Sequence, residues 1–150
     1  MSITKLTLLA ASFLALTTAM WAQGGVQSEA ATTYTGKFVY SFTITIESTI
    51  STSVPIYCYA KVQTSDSGDT LSETGSVTAT RSGSSATCTV TLPYSWSLAT
   101  ESSDKVNLSF EVAADTSLEY PPVRDVNHQL GQISVPANGA TTTEKISVVM

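Results

Sequence analysis

The sequence predicts an all-β fold, an antiparallel sandwich of two sheets with about six or seven strands. Three observations lead there. Apolar and polar residues alternate at period two in run after run, as in strands with one buried face. The links between runs are rich in Ser, Gly, Asp, Asn and Pro, the residues of turns. Beyond residue 19 no apolar stripe of helical spacing and useful length occurs. The alternation also argues against an all-parallel sheet, whose strands are apolar on both faces. A small barrel is the rival closure.

The N-terminus, MSITKLTLLAASFLALTTAMWAQ, places one positive charge, Lys5, ahead of an apolar run from Leu6 to Leu16, followed by small residues. This is the layout of a secretory signal peptide. Cleavage after Ala19 puts Thr17 and Ala19 at the small-residue positions; cleavage as late as Ala22 would put Met20 there. The apolar run is shorter than the ~20 residues that cross a bilayer as a helix. The reading is therefore an exported chain, secreted or periplasmic, with no membrane span once residues 1–19 are removed. Residues 20–35 show no periodicity and read as a flexible leader, and residues 36–150 as one domain.

Within that domain KFVYSFTITIE (37–47) sets Phe38, Tyr40, Phe42, Ile44 and Ile46 on one face. VPIYCYAKVQ (54–63) does the same with Val54, Ile56, Cys58, Ala60 and Val62. SVTATR (76–81) turns Val77 and Ala79 inward. After an RSGSS turn, ATCTVTL (86–92) turns in Ala86, Cys88, Val90 and Leu92, so the two runs read as a hairpin. KVNLSFEVA (105–113) aligns Val106, Leu108, Phe110 and Val112. QISV (132–135), a PANG turn and EKISVVM (144–150) read as a second hairpin.

Cys58 and Cys88 are the only cysteines, and both fall on apolar strand faces. In an oxidising compartment an even count so placed predicts a disulfide. One histidine and two isolated cysteines do not make a zinc site, and no cofactor is expected.

Removing residues 1–19 leaves six basic and twelve acidic side chains, a formal charge of −6. That balance argues against nucleic acid, which requires basic patches. Only 13% of residues are charged, whereas 46 of 150 are Ser or Thr. Such a surface is poor in acid–base groups. The lone His128, in RDVNHQLG, has Asp115 and Asp125 as conceivable orienting partners, but no serine stands in a nucleophile setting. It reads as a solvated loop residue, and no catalytic residue is assigned. Asp66, Asp69 and Glu73 lie within DSGDTLSE; oxygen-rich loops bind calcium, but the spacing is not that of an EF-hand loop and a solvated turn is the plainer reading. Asn107 begins an N-L-S glycosylation triplet. Tyr57 and Tyr59, opposite the Cys58 face, and Tyr94 and Trp96, in PYSWS, are candidates for a ligand surface, because exposed aromatic rings stack on sugars and anchor partners.

The closing segment QISVPANGATTTEKISVVM (strand, Val-Pro, Gly turn, Thr-rich alternating strand) resembles a phrase of bacterial immunoglobulin-like modules. With the core-facing cysteine pair, the mature chain is similar to a secreted bacterial immunoglobulin-like sandwich. The resemblance implies a recognition or structural module without catalytic residues. Three functions follow as expectations: a non-enzymatic role in recognition or surface architecture, a glycan- or protein-binding module using the tyrosines and Trp96, and a fibre or pilus subunit sharing strands. An enzyme fits least.

Overall fold

A computed structural model of the chain describes residues 31–66, 69–99, 105–115 and 124–150. The predicted signal peptide, and the leader up to residue 30, lie outside the described residues. Among the described residues eight strands form: β1 (Thr32–Thr45), β2 (Ile56–Asp66), β3 (Asp69–Thr78), β4 (Thr80–Ser82), β5 (Ser85–Leu98), β6 (Lys105–Ala114), β7 (Arg124–Ser134) and β8 (Ala140–Val149). They make two four-stranded sheets, ordered β4-β5-β1-β8 (sheet A) and β3-β2-β6-β7 (sheet B).

The strand faces follow the alternation. Phe38, Tyr40, Phe42, Ile44 and Ile46 are buried, as are Ile56, Cys58, Ala60 and Val62, and Val106, Leu108, Phe110 and Val112. Their polar neighbours in sequence look outward. Each large apolar side chain taken from water contributes about 1.5–3 kcal/mol, so this one core, shared by both sheets, drives the pairing of layers.

The two sheets meet closely at one side. β2 and β3 pack directly on β5. Cys58 of β2 and Cys88 of β5 form a disulfide across the layers, with Cα atoms 6.7 Å apart. Beside it Gly75 of β3 lets the layers touch, since a Cβ there would stand 2.7 Å from Leu92 Cδ2. Tyr40 adds a bond between layers, its hydroxyl donating to the Lys61 carbonyl at 3.2 Å. At the other side β7 and β8 frame an open mouth of about 380 Å³, lined by Phe110, Val126, Leu130, Ile146 and Val148. The sandwich is a wedge, shut at β3–β5 and open at β7–β8.

Several expectations need correction. β1 begins at Thr32, inside the span read as leader, because β5 runs on to Leu98 and pairs with it residue by residue. β5 continues through Pro93, where the three-residue β4 no longer covers its outer edge and a missing N–H costs little. The run 76–81 is no single hairpin arm. Residues up to Thr78 belong to β3 and pair with β2, and only Thr80–Ser82 pair with β5. The chain changes sheets at Ala79, whose N–H donates to the Ile56 carbonyl. Val77, read as inward, is exposed at the edge of sheet B. The closing segment is not a hairpin either. β7 pairs with β6 in sheet B, while β8 crosses to sheet A and lies parallel to β1.

Candidate functional site

The outer face of sheet B carries the most structured group of exposed side chains. Register fixes its rows. Ser76 of β3, Tyr59 of β2, Glu111 of β6 and Asn127 of β7 stand side by side, and the next row is Thr74, Lys61, Ser109 and Gln129. The row on the other side holds Thr78, Tyr57, Ala113 and Asp125. Side chains directly opposite on neighbouring strands have Cβ atoms about 4.5–5.5 Å apart, so each row is a contiguous strip.

A trough of about 650 Å³ runs over the middle of this face, with Tyr59, Lys61, Ser109, Glu111, Asn127 and Gln129 among its lining. Tyr57 continues the aromatic surface past its end. The rings of Tyr57 and Tyr59 have centroids 6.4 Å apart and are tilted by 41°. Both are half-buried, so one part of each ring is packed and the remainder is offered to solvent. The phenol of Tyr59 is pushed above its ordinary range by burial first, then by Glu111, Tyr57 and Asp115. Its hydroxyl therefore stays protonated and able to donate. Asn127 is oriented from its own strand, its Nδ2 donating to Asp125 Oδ2 at 3.1 Å.

Tyr94 and Trp96, expected on the same ligand surface, are not there. They are 4% and 3% exposed. Because β5 does not stop at Pro93, the alternation carries both rings into the core, where they pack at 4.6 Å and flank Phe38. Tyr94 lies over Gly36 of the neighbouring strand, and burial raises its pKa.

His128 sits on strand β7, not in a loop. It is exposed, opposite Phe110, with ring centroids 6.2 Å apart at the mouth of the wedge. Asp66 and Asp69 face each other where β2 and β3 join, and Glu73 points inward to accept the Trp96 indole N–H at 3.2 Å. The three acids therefore do not converge, and no group of three metal-ligating side chains occurs among the described residues. Asn107 lies on β6, and its amide oxygen accepts from Gln132 at 2.8 Å.

Sequence reasoning found Tyr57 and Tyr59 but missed Asn127 and Gln129. These lie on an edge strand whose inward positions are largely exposed, so no apolar period marks it. The only sequence signal is the polar i, i+2 series Asp125, Asn127, Gln129. No family model, no characterised protein and no solved structure matches this chain.

Proposed function

We propose that this chain is a non-enzymatic, exported recognition module that binds a glycan through the outer face of sheet B. The observation that carries the reading is the tyrosine pair, Tyr57 and Tyr59, set side by side at a trough whose other walls include hydroxyls, amides, Lys61 and Glu111. Rigid rings give contact area at low entropic cost, and amphipathic rings suit sugars, which have an apolar face and a hydroxyl rim. Export is supported by the signal-like N-terminus and by the disulfide, which is consistent with an oxidising compartment. Immunoglobulin-like resemblance adds the prior that such sandwiches serve recognition.

A glycan array probed with the parent protein and with Tyr59→Ala tests the reading. The parent should bind at least one glycan class, and Tyr59→Ala should lose that binding with little change in melting temperature. Binding that survives both Tyr57→Ala and Tyr59→Ala would move the site elsewhere. Intact mass of protein recovered outside the cytoplasm should start at Met20 or Gln23; a mature species keeping Met1 would refute export. Turnover of generic esters or peptides that depends on His128 would refute the non-enzyme reading.

A second reading, surface assembly through shared strands, is favoured by the open mouth between β7 and β8, rimmed by the exposed Leu130 and Val149. Strand addition to such an edge is an established recognition mode. Concentration-dependent oligomers that disappear with Leu130→Lys would support it.

A further inference from the structure

The trough on sheet B is chemically lopsided, and the asymmetry names a ligand class. At the Tyr57–Tyr59 end the charged groups beside the rings are carboxylates. Glu111 stands directly across from Tyr59, and Asp125 shares the row of Tyr57. Asn127 donates one amide hydrogen to Asp125, which leaves its other amide hydrogen and its carbonyl oxygen. Glu111 makes no ion pair among the described residues, and the nearest cation along β7, Arg124, is directed to Glu47 at 3.5 Å. Lys61 is the lysine that lines the trough, while Lys105, farther along the same face, is directed to Ser134. Lys61 occupies the next row, with Ser109 and Gln129 as its neighbours.

Two tilted tyrosine rings with a carboxylate across from them form one side of a cation cage. A cation within about 6 Å of an aromatic centroid is attracted to the ring face. A carboxylate adds a charge-assisted hydrogen bond to an ammonium, roughly twice as strong as a neutral one. A hydroxyl-only sugar would satisfy the rings but would leave Glu111 without a positively charged donor. An acidic sugar would meet Glu111 and Asp125 with like charge.

We propose that the ligand is a glycan carrying free amino groups, an amino sugar whose ammonium seats between the Tyr57–Tyr59 rings and Glu111. The neighbouring sugar unit lies over the Lys61 row, where the lysine ammonium, Ser109 and Gln129 hydrogen-bond its hydroxyls. This rests on the reading of sheet B as the glycan-binding face and specifies what that face selects. Polarity is built in, since the amine must lie at the carboxylate end and a neutral or anionic substituent at the Lys61 end.

The test is calorimetric titration of the parent protein with three oligosaccharides of equal length: a β-1,4-linked glucose oligomer carrying one terminal glucosamine, its N-acetylated form, and the unsubstituted glucose oligomer. The glucosamine-bearing oligomer should bind about tenfold or more tighter than the other two, as the gain of one charge-assisted contact implies. Raising salt should shrink the difference. Glu111→Gln, which keeps shape and removes charge, should erase it, while Tyr59→Ala should weaken all three. Circular dichroism melting of both variants verifies folding. Equal affinity for the three oligomers, together with no effect of Glu111→Gln, would overturn the amino-sugar assignment and leave the glycan reading intact. Binding of none of them would overturn the assignment, and the array would then judge the broader reading separately.

Discussion

The indole N–H of Trp96, on β5 of sheet A, donates to the carboxylate of Glu73, on β3 of sheet B, at 3.2 Å. An acid read from sequence as part of a solvated turn thus bridges the two layers. Its position is set by the hairpin register that pairs Glu73 with Val62 on the inner face. Glu73→Ala should therefore leave a buried indole donor unpaired, at about 1–3 kcal/mol. Glu73→Gln keeps an acceptor and should cost less. Denaturant titration of both variants measures the difference, and equal losses would mean that the bond contributes nothing beyond packing.

The Cys58–Cys88 bridge closes a loop of 30 residues between the layers. In the chain-entropy view such a loop contributes about 3–4 kcal/mol. Cys58→Ala with Cys88→Ala should lower stability by about 2–4 kcal/mol and retain the β spectrum. Thiol labelling of the denatured parent without reductant should find no free thiol.

Gly36 faces Tyr94 across the β1–β5 ladder. A Cβ there would stand 2.5 Å from the Tyr94 hydroxyl and 2.6 Å from the Ala140 carbonyl oxygen. The second of these is backbone and cannot swing away. Gly36→Ala should therefore destabilise by about 1–3 kcal/mol, as overpacking does, although alanine has the better strand propensity. A stabilised variant in thermal melts would show that β8 can shift away from β1.

Tyr40 should make the fold sensitive to alkali. Burial, and secondarily the Glu144 carboxylate, raise its pKa above the ordinary tyrosine value. A raised folded pKa means stability that is fully present below the unfolded pKa of about 10 and is lost as pH climbs beyond it. The parent should thus lose stability steeply above about pH 10. Tyr40→Phe forfeits the bond to the Lys61 carbonyl, about 1 kcal/mol at neutral pH, but should flatten that loss. Urea midpoints across the alkaline range read both effects.

The fold was legible where burial imposes a period. Phe38 to Ile46, Val54 to Val62, Ala86 to Leu92 and Val106 to Val112 fell on the faces that the alternation assigns. The disulfide was legible for the same reason, because both cysteines occupy apolar positions. Edge strands were not. β3 and β7 bury little, so their side chains carry no phase: residues 69–73 read as a turn, 76–78 were assigned to the wrong hairpin, and His128 of β7 read as a loop residue. Sheet membership was illegible as well. Nothing local distinguishes a turn between paired strands from one that crosses layers, as happens at Ala79 and between Ser134 and Ala140. Of the candidate site, the two tyrosines were visible because their strand was. Tyr94 and Trp96 were misplaced because the strand was read only as far as Leu92, and Asn127 and Gln129 acquire meaning only from pairing with β6.

The parallel pairing of β1 with β8 has a mechanical consequence. Residues 36–45 and 140–149 lie alongside each other in the same direction. A pull applied at Thr32 and at Val149 therefore slides one strand along the other and strains all the rungs of that ladder together. An antiparallel pair pulled from one end would unzip rung by rung. Held at β1 and loaded at β8, the domain would resist tension as a shear clamp.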